Sequence, residues 1–234
     1  MNDLPQAEPI KKTSRVAIVT VLLTLFALPI IAYLFFLNGE HHFKTLPVVT
    51  NDLKELNDFE IISGSATQLK DSVTLVTFLG NQPYDRLGYV SNLNEKIYKK
   101  FHQFDNFQMI SIVCQNGTGD VQEIIDQMKE TTDLKDWHFL TASDQQIKDF
   151  FSSFKTNFAL NKDLSSNLVY IVDKDLNLRG RLEDEKTADG VVYGYDTETA
   201  AGLNQRMVDD MRVFLAEYRF AFKKNRDQKI QEDE

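Results

Sequence analysis

Soft metal ligands and redox sulfur are scarce in this chain of 234 residues: one cysteine, Cys114, four histidines and five methionines. A lone thiol makes no intramolecular disulfide. It also cannot run dithiol exchange, which needs an attacking and a resolving sulfur. Whatever folds here is held by packing alone. Glycine-rich phosphate loops, zinc-type Cys/His spacings and internal repeats are absent. Basic charge is short too, with 26 Lys and Arg against 35 Asp and Glu, a net −9. Three of the basic residues, Lys11, Lys12 and Arg15, fall in the first fifteen, so the remainder is strongly acidic. That argues against a nucleic-acid partner and against a domain lying on anionic lipid, since both favour basic surfaces.

Charge of either sign is missing from Val16 to Leu37, about 22 positions, enough to cross a bilayer as a helix. Basic residues just before it are retained on the cytoplasmic side, so residues 1–15 read as a cytoplasmic tail and 16–37 as a transmembrane anchor. A cleaved signal is the competing reading. Its apolar core would run only about 7–15 residues before a small-residue cleavage site, and Asn38-Gly39-Glu40-His41-His42 offers none. Pro29 is tolerable within a membrane helix. Asp3 and Glu8 tell against an acid-poor mitochondrial presequence. The expectation is a bacterial inner-membrane protein, single-pass, with its C-terminal domain in the periplasm.

Residues 38–58 read as a linker, with Pro47 and no apolar period, 59–224 as the domain, and 225–234 as a charged tail. Phe59-Glu60-Ile61-Ile62 could form a short strand closed by Ser63-Gly64-Ser65. Val73 to Leu79 is β-branched, apolar and bounded by Asp71 and Gly80, which predicts a buried strand. Val90, Leu93, Ile97, Phe101 and Phe104 recur at helical spacing. Met109 to Cys114 is a second buried strand, followed by a helix marked by Val121, Ile124, Ile125 and Met128. Trp137 to Leu140 is a short third strand, and Ser143 suits an N-cap for a helix carrying Ile147, Phe150, Phe151 and Phe154. Leu168 to Val172, the turn Asp173 to Asn177, and Leu178 to Leu182 form a hairpin. A polar stretch from Glu183 to Gly202 precedes a last helix built on Leu203, Met207, Met211, Phe214, Leu215, Tyr218 and Phe222. This order predicts an α/β domain with a mixed sheet flanked by helices, as a thioredoxin-like fold requires, preceded by one transmembrane helix.

Several segments resemble the Sco/SenC family, membrane-anchored copper chaperones of cytochrome c oxidase assembly. Val73 to Gly80 runs into Asn81-Gln82-Pro83-Tyr84-Asp85-Arg86 before a long helix, where the family has a strand, a CPxxC loop and a helix. Trp137-His-Phe-Leu-Thr-Ala-Ser-Asp144 is similar to its wxxLtG element, and Tyr170-Ile-Val-Asp-Lys-Asp-Leu-Asn177 to its yLidpdG turn. The resemblance covers most of Phe59 to Leu182. It implies a thioredoxin-like fold, and its copper ligands would map to Gln82, Arg86 and, near the yLidpdG strand, Ser165. None is a cysteine or histidine. Cu(I) requires soft thiolates completed by imidazole, so these positions are degenerate, and no catalytic, cofactor or metal residue is assigned. Asp163-Leu-Ser-Ser-Asn167 also lacks the proline that wider thioredoxin relatives carry before this strand.

The remaining candidates have plain structural readings. Cys114 ends an apolar strand and reads as a buried small hydrophobe. His41 and His42 lack a fixed geometry, and His102 and His138 suit packing or hydrogen bonding. Asp173 and Asp175 suit turn chemistry, and Asn116-Gly-Thr118 matches a glycosylation sequon that has no meaning in a bacterial periplasm. Three classes of function stay open. The first is a non-catalytic tethered domain that binds a protein in or near the membrane, such as a respiratory oxidase subunit or assembly factor. The second is a copper-handling protein using His41, His42 or methionines, and the third an enzyme whose chemistry avoids sulfur. For the first, the interaction surface is either the loop Gly80 to Gly88 or the stretch Glu183 to Gly202 with Tyr193 and Tyr195, which could equally fold back over the sheet edge.

Overall fold

The computed structural model describes residues 14–37, 45–65 and 68–219, and the chain divides into two compact units, Met1–Phe43 and Lys44–Glu234. In the first, helix α1 (Arg15–Leu37) has 23 residues with Pro29 inside it. At a rise of about 1.5 Å per residue it is long enough for a hydrocarbon core of about 30 Å. Its apolar stretch Arg15–Tyr33 has a mean hydropathy of 2.5. The hydroxyls of Thr20 and Thr24 donate back to Val16 O and Thr20 O at 2.9 Å, so neither would stand unsatisfied in lipid.

The second unit is built on one sheet. Its strands are β1 (Val48–Thr50), β2 (Glu60–Ser63), β3 (Val73–Gly80), β4 (Phe107–Cys114), β5 (Trp137–Ala142), β6 (Ser165–Val172), β7 (Leu178–Arg179) and β8 (Tyr195–Asp196), in the order β1-β7-β6-β3-β4-β5-β2 with β8 also on β6. β3, β4 and β5 run parallel, and β6 is antiparallel to β3. Every residue of β3 and β4 is buried, as an apolar strand covered on both faces must be. Side chains alternate between two cores. Leu75, Met109 and Phe139 face one with α4 (Thr118–Lys129), while Val76, Ile110 and Leu140 face the other with α5 (Asp144–Ser152). Two parallel βα units, then an antiparallel hairpin and a closing helix, make the fold thioredoxin-like, with β5 as a further parallel strand.

Local chemistry explains several elements. Ser143 and Gln146 form a capping box that starts α5. Phe78 meets the rings of Phe150, Phe151, Phe154 and Tyr170 at centroid distances of 5.2–6.1 Å, which accounts for much of the phenylalanine content. On the opposite face, Trp137 Nε1 donates to Ser111 Oγ at 2.9 Å, and Thr77 completes this buried polar row. The Asp173 carboxylate accepts from the backbone of Asp175 and Asn177 at 2.9 Å and from Arg179 Nε at 2.7 Å. Turn chemistry is its role.

Two expectations need correction, and a third question, left open between a surface anchor and a fold-back, is decided for the fold-back. The described part of the 38–58 linker folds into the domain: β1 pairs with β7, and Leu46, Leu53 and Leu56 are buried. Thr50 Oγ1 donates to Phe154 O at 2.8 Å, and the Glu55 carboxylate accepts from the backbone of Leu69 and Lys70. Those leucines lie at no helical or strand period, because each packs from an irregular segment. The long helix is broken in register: α2 (Leu87–Leu93) passes through a π-turn, Asn94–Tyr98, into α3 (Lys99–Phe101), which leaves Phe104 beyond its end. Glu183 to Gly202 folds back on the sheet, with β8 on β6 and a bridge from Arg181 to Val192. Tyr195 is 3 % exposed and gives its hydroxyl to Asp210 at 2.6 Å, so it is no surface anchor. The closing helix comprises α6 (Ala200–Gly202), a π-turn Leu203–Met207, and residues 208–219. Phe222, the tail 225–234, His41 and His42 lie outside the described residues.

Candidate functional site

The C-terminal ends of β3 and β4 and the N-terminal end of β6 meet where the degenerate family positions fall. Gly80 ends β3 with φ +75, and a Cβ there would sit 2.4 Å from Asp163 O and 2.8 Å from Ser165 N. Only glycine allows that approach. Asn81 N donates to Asp163 O at 2.9 Å, which ties the β3 exit to the loop before β6. Pro83 is buried and opens a short 3-10 turn, Pro83–Arg86, that delivers Arg86 to the start of α2. Leu164, in the place where the proline is missing, takes the left-handed backbone at φ 61, a conformation unusual for a leucine.

Of the three mapped positions, two touch. Arg86 Nη2 donates to Ser165 Oγ at 2.7 Å, and Arg86 Nη1 to Asn167 Oδ1 at 2.7 Å. Gln82 is exposed and its side chain does not cap the turn that follows. The Ser165 hydroxyl is fully used. It donates to Asp163 Oδ1 at 2.7 Å and accepts from Arg86 and from Asn161 Nδ2 at 3.0 Å. Burial disfavours charge on Asp163, but the two Ser165 donors and the Arg86 charge outweigh it and hold its carboxyl below the ordinary range. Asn167 passes the network on to Glu198, and Arg86 stacks over Tyr89 at 5.3 Å.

These residues do not fit a cuprous ion. The groups facing one another are guanidinium, hydroxyl, amide and carboxylate, all hard, with their hydrogen-bonding capacity turned on each other and a fixed positive charge in the middle. Cys114 lies at the neighbouring strand end, 2 % exposed, with Sγ 3.8 Å from Asp163 O. Burial, with Asp144 and Asp163 nearby, pushes its thiol up to about 11. It is neither thiolate nor accessible, so nucleophilic chemistry is closed to it. Among the described residues, no three of His, Cys, Asp and Glu converge as metal ligands. Met109, Met207 and Met211 are fully buried and Met128 is 6 % exposed.

Both described histidines serve the fold. His102 stacks on Tyr98 at 5.2 Å. His138 is buried, its Nδ1 accepts from Ser65 N at 3.3 Å, and desolvation lowers its pKa. Asn161, Asp163 and Asn167 are members of the site that sequence reasoning missed. The polar density from Asn161 to Asn167 is the one signal that could have found them.

No protein-family profile and no curated protein matches the chain. Among solved structures it is similar to a Bacteroides thetaiotaomicron protein provisionally described as a protein disulfide isomerase, at 11% identity over 76% of this chain and 98% of that one, with a TM-score of 0.49. It is also similar to ScoI of Bradyrhizobium japonicum with copper bound, at 14% identity over 70% of this chain and 99% of the other (TM-score 0.39). ScoI of Arabidopsis thaliana with copper bound gives 15%, 70%, 99% and 0.43. Likeness at this level is one of fold only, and the thioredoxin-like assignment rests on the strand order.

Proposed function

We propose that this chain is a membrane-tethered, periplasm-facing thioredoxin-fold module that has left thiol and copper chemistry and acts by binding a protein in or near the membrane. One observation carries the reading: the Arg86 guanidinium bonded to Ser165 and Asn167 at the positions the Sco/SenC resemblance reserves for copper. The apolar helix α1 supports the tether. The link to cytochrome c oxidase biogenesis comes from the sequence resemblance, and an oxidase subunit or assembly factor is the partner it suggests. A copper-handling role would rest on His41 and His42, because the described methionines are in the core.

Complementation of a deletion strain tests this. Full-length Cys114→Ala should restore assembled oxidase, read as haem and copper absorbance, as well as the native chain does, and alkaline phosphatase fused after Glu234 should be active. Failure of folded Cys114→Ala, or inactive phosphatase, would refute the reading.

A further inference from the structure

Beside the Arg86 network, α5 and the loop after it line an open surface hollow of about 570 Å³, within the usual size range for ligand pockets. Its wall is apolar where Phe151, Leu160 and Leu164 line it, and Phe158 stands half-exposed at its edge. Lys148, Lys155 and Lys162 ring it, all exposed and none in an ion pair among the described residues. Asp144 is the only carboxylate in the lining. Three unpaired cations around one apolar hollow are out of character for a chain of net charge −9. Phe158, Ala159 and Asn161 also line a second hollow, of about 340 Å³, whose lining includes Asp196 and Glu198. Because they share Phe158, Ala159 and Asn161, the two hollows adjoin as a groove, with the lysines in the lining of the first and Asp196 and Glu198 in that of the second.

We infer that this groove binds an extended peptide segment of a partner protein, with acidic residues toward the lysines, a large apolar side chain against Phe158, and a basic residue toward Asp196 and Glu198. Charge complementarity selects the segment and its direction. A single small anion would leave the second hollow unfilled, where, among the described residues, Glu198 accepts only from the neutral Asn167 and Tyr89, and Asp196 from Glu198 N. The inference rests on the partner-binding reading and names the partner's chemistry.

The probe is a short fluorescein-labelled peptide with glutamates at one end, a leucine–phenylalanine pair in the middle and a lysine at the other end. Its anisotropy is followed with the full chain in phosphatidylcholine nanodiscs. Three changes should each weaken binding at least about tenfold: combining Lys148→Glu, Lys155→Asn and Lys162→Glu; Phe158→Ala; and exchanging the charges of the peptide. Asparagine is chosen at Lys155 because its φ of 48 is left-handed. All four residues are exposed, and unchanged thermal melting shows that the fold is kept. Equal binding by the charge-exchanged peptide, or by the triple variant, would overturn the inference. So would lysine-dependent binding of hexanoate, or of phosphatidylglycerol vesicles, without binding of the peptide. Isolation of partners with the native full chain scores the wider reading separately. Partners kept by the triple variant, with the peptide unbound, remove the groove and leave the tethered binding role. Peptide bound with no specific partner removes that role and leaves the groove.

Discussion

Arg86 connects the start of α2 to the start of β6 through two charge-assisted hydrogen bonds. Its Nε is buried with no partner, so these bonds and the Asp163 ion pair at 3.8 Å must offset its desolvation. Truncation removes one donor each from Ser165 and Asn167 and the nearby positive charge from Asp163. Arg86→Ala should therefore cost about 2 kcal/mol in urea unfolding, and Arg86→Lys should recover only part, because an ammonium cannot span both acceptors. An unchanged midpoint would mean that the network is ornamental. At His138, desolvation holds the folded pKa below 6.5. The unfolded chain therefore binds the proton first, and stability falls as pH drops through about 6.5. His138→Gln should flatten the unfolding free energy between about pH 7.5 and 5.5 relative to the native chain. An equal slope in the two proteins would remove His138 as the cause. The family register maps Arg86 and Ser165 to two lost ligand positions, but the hydrogen bond between them is not legible in the sequence. Asn161, Asp163 and Asn167 are not legible either, because their roles depend on a left-handed turn at Leu164 and on the close approach at Gly80.

At the scale of elements, β3 and β4 are plain in the sequence as near-continuous apolar runs, and α4 and the closing helix by their helical period. β1, β7 and β8 are two or three residues long and carry no period at all. Their existence is decided by neighbours far along the chain: Gly180 N donates to Pro47 O, and Tyr195 is buried against Asp210. Arg181 grips the same Asp210 carboxylate with two nitrogens, at 2.7 and 2.8 Å. Because Leu46, Leu53 and Leu56 belong to the core, a fragment beginning at Phe59 loses three buried leucines and the β1 edge. Each lost leucine is worth about 1.5–3 kcal/mol of burial, which together rivals the whole stability of an ordinary domain. That fragment should show no cooperative thermal transition, whereas one beginning at Lys44 should unfold in a single step. Equal melting of the two fragments would restore the linker reading of residues 45–58.

The whole molecule combines an apolar helix and a thioredoxin-like domain. The helix is long and apolar enough to cross a bilayer, and the domain fills the meeting point of the β3, β4 and β6 ends with hydrogen bonds. Under the proposed reading, protein binding is the task of this surface. The most direct test is a cuprous titration of the full chain in detergent against bicinchoninate, run beside a His41→Ala, His42→Ala double variant. Both proteins should leave the copper with the chelator. One tightly held equivalent in both, lost on substitution of Cys114 or Ser165, would contradict the account.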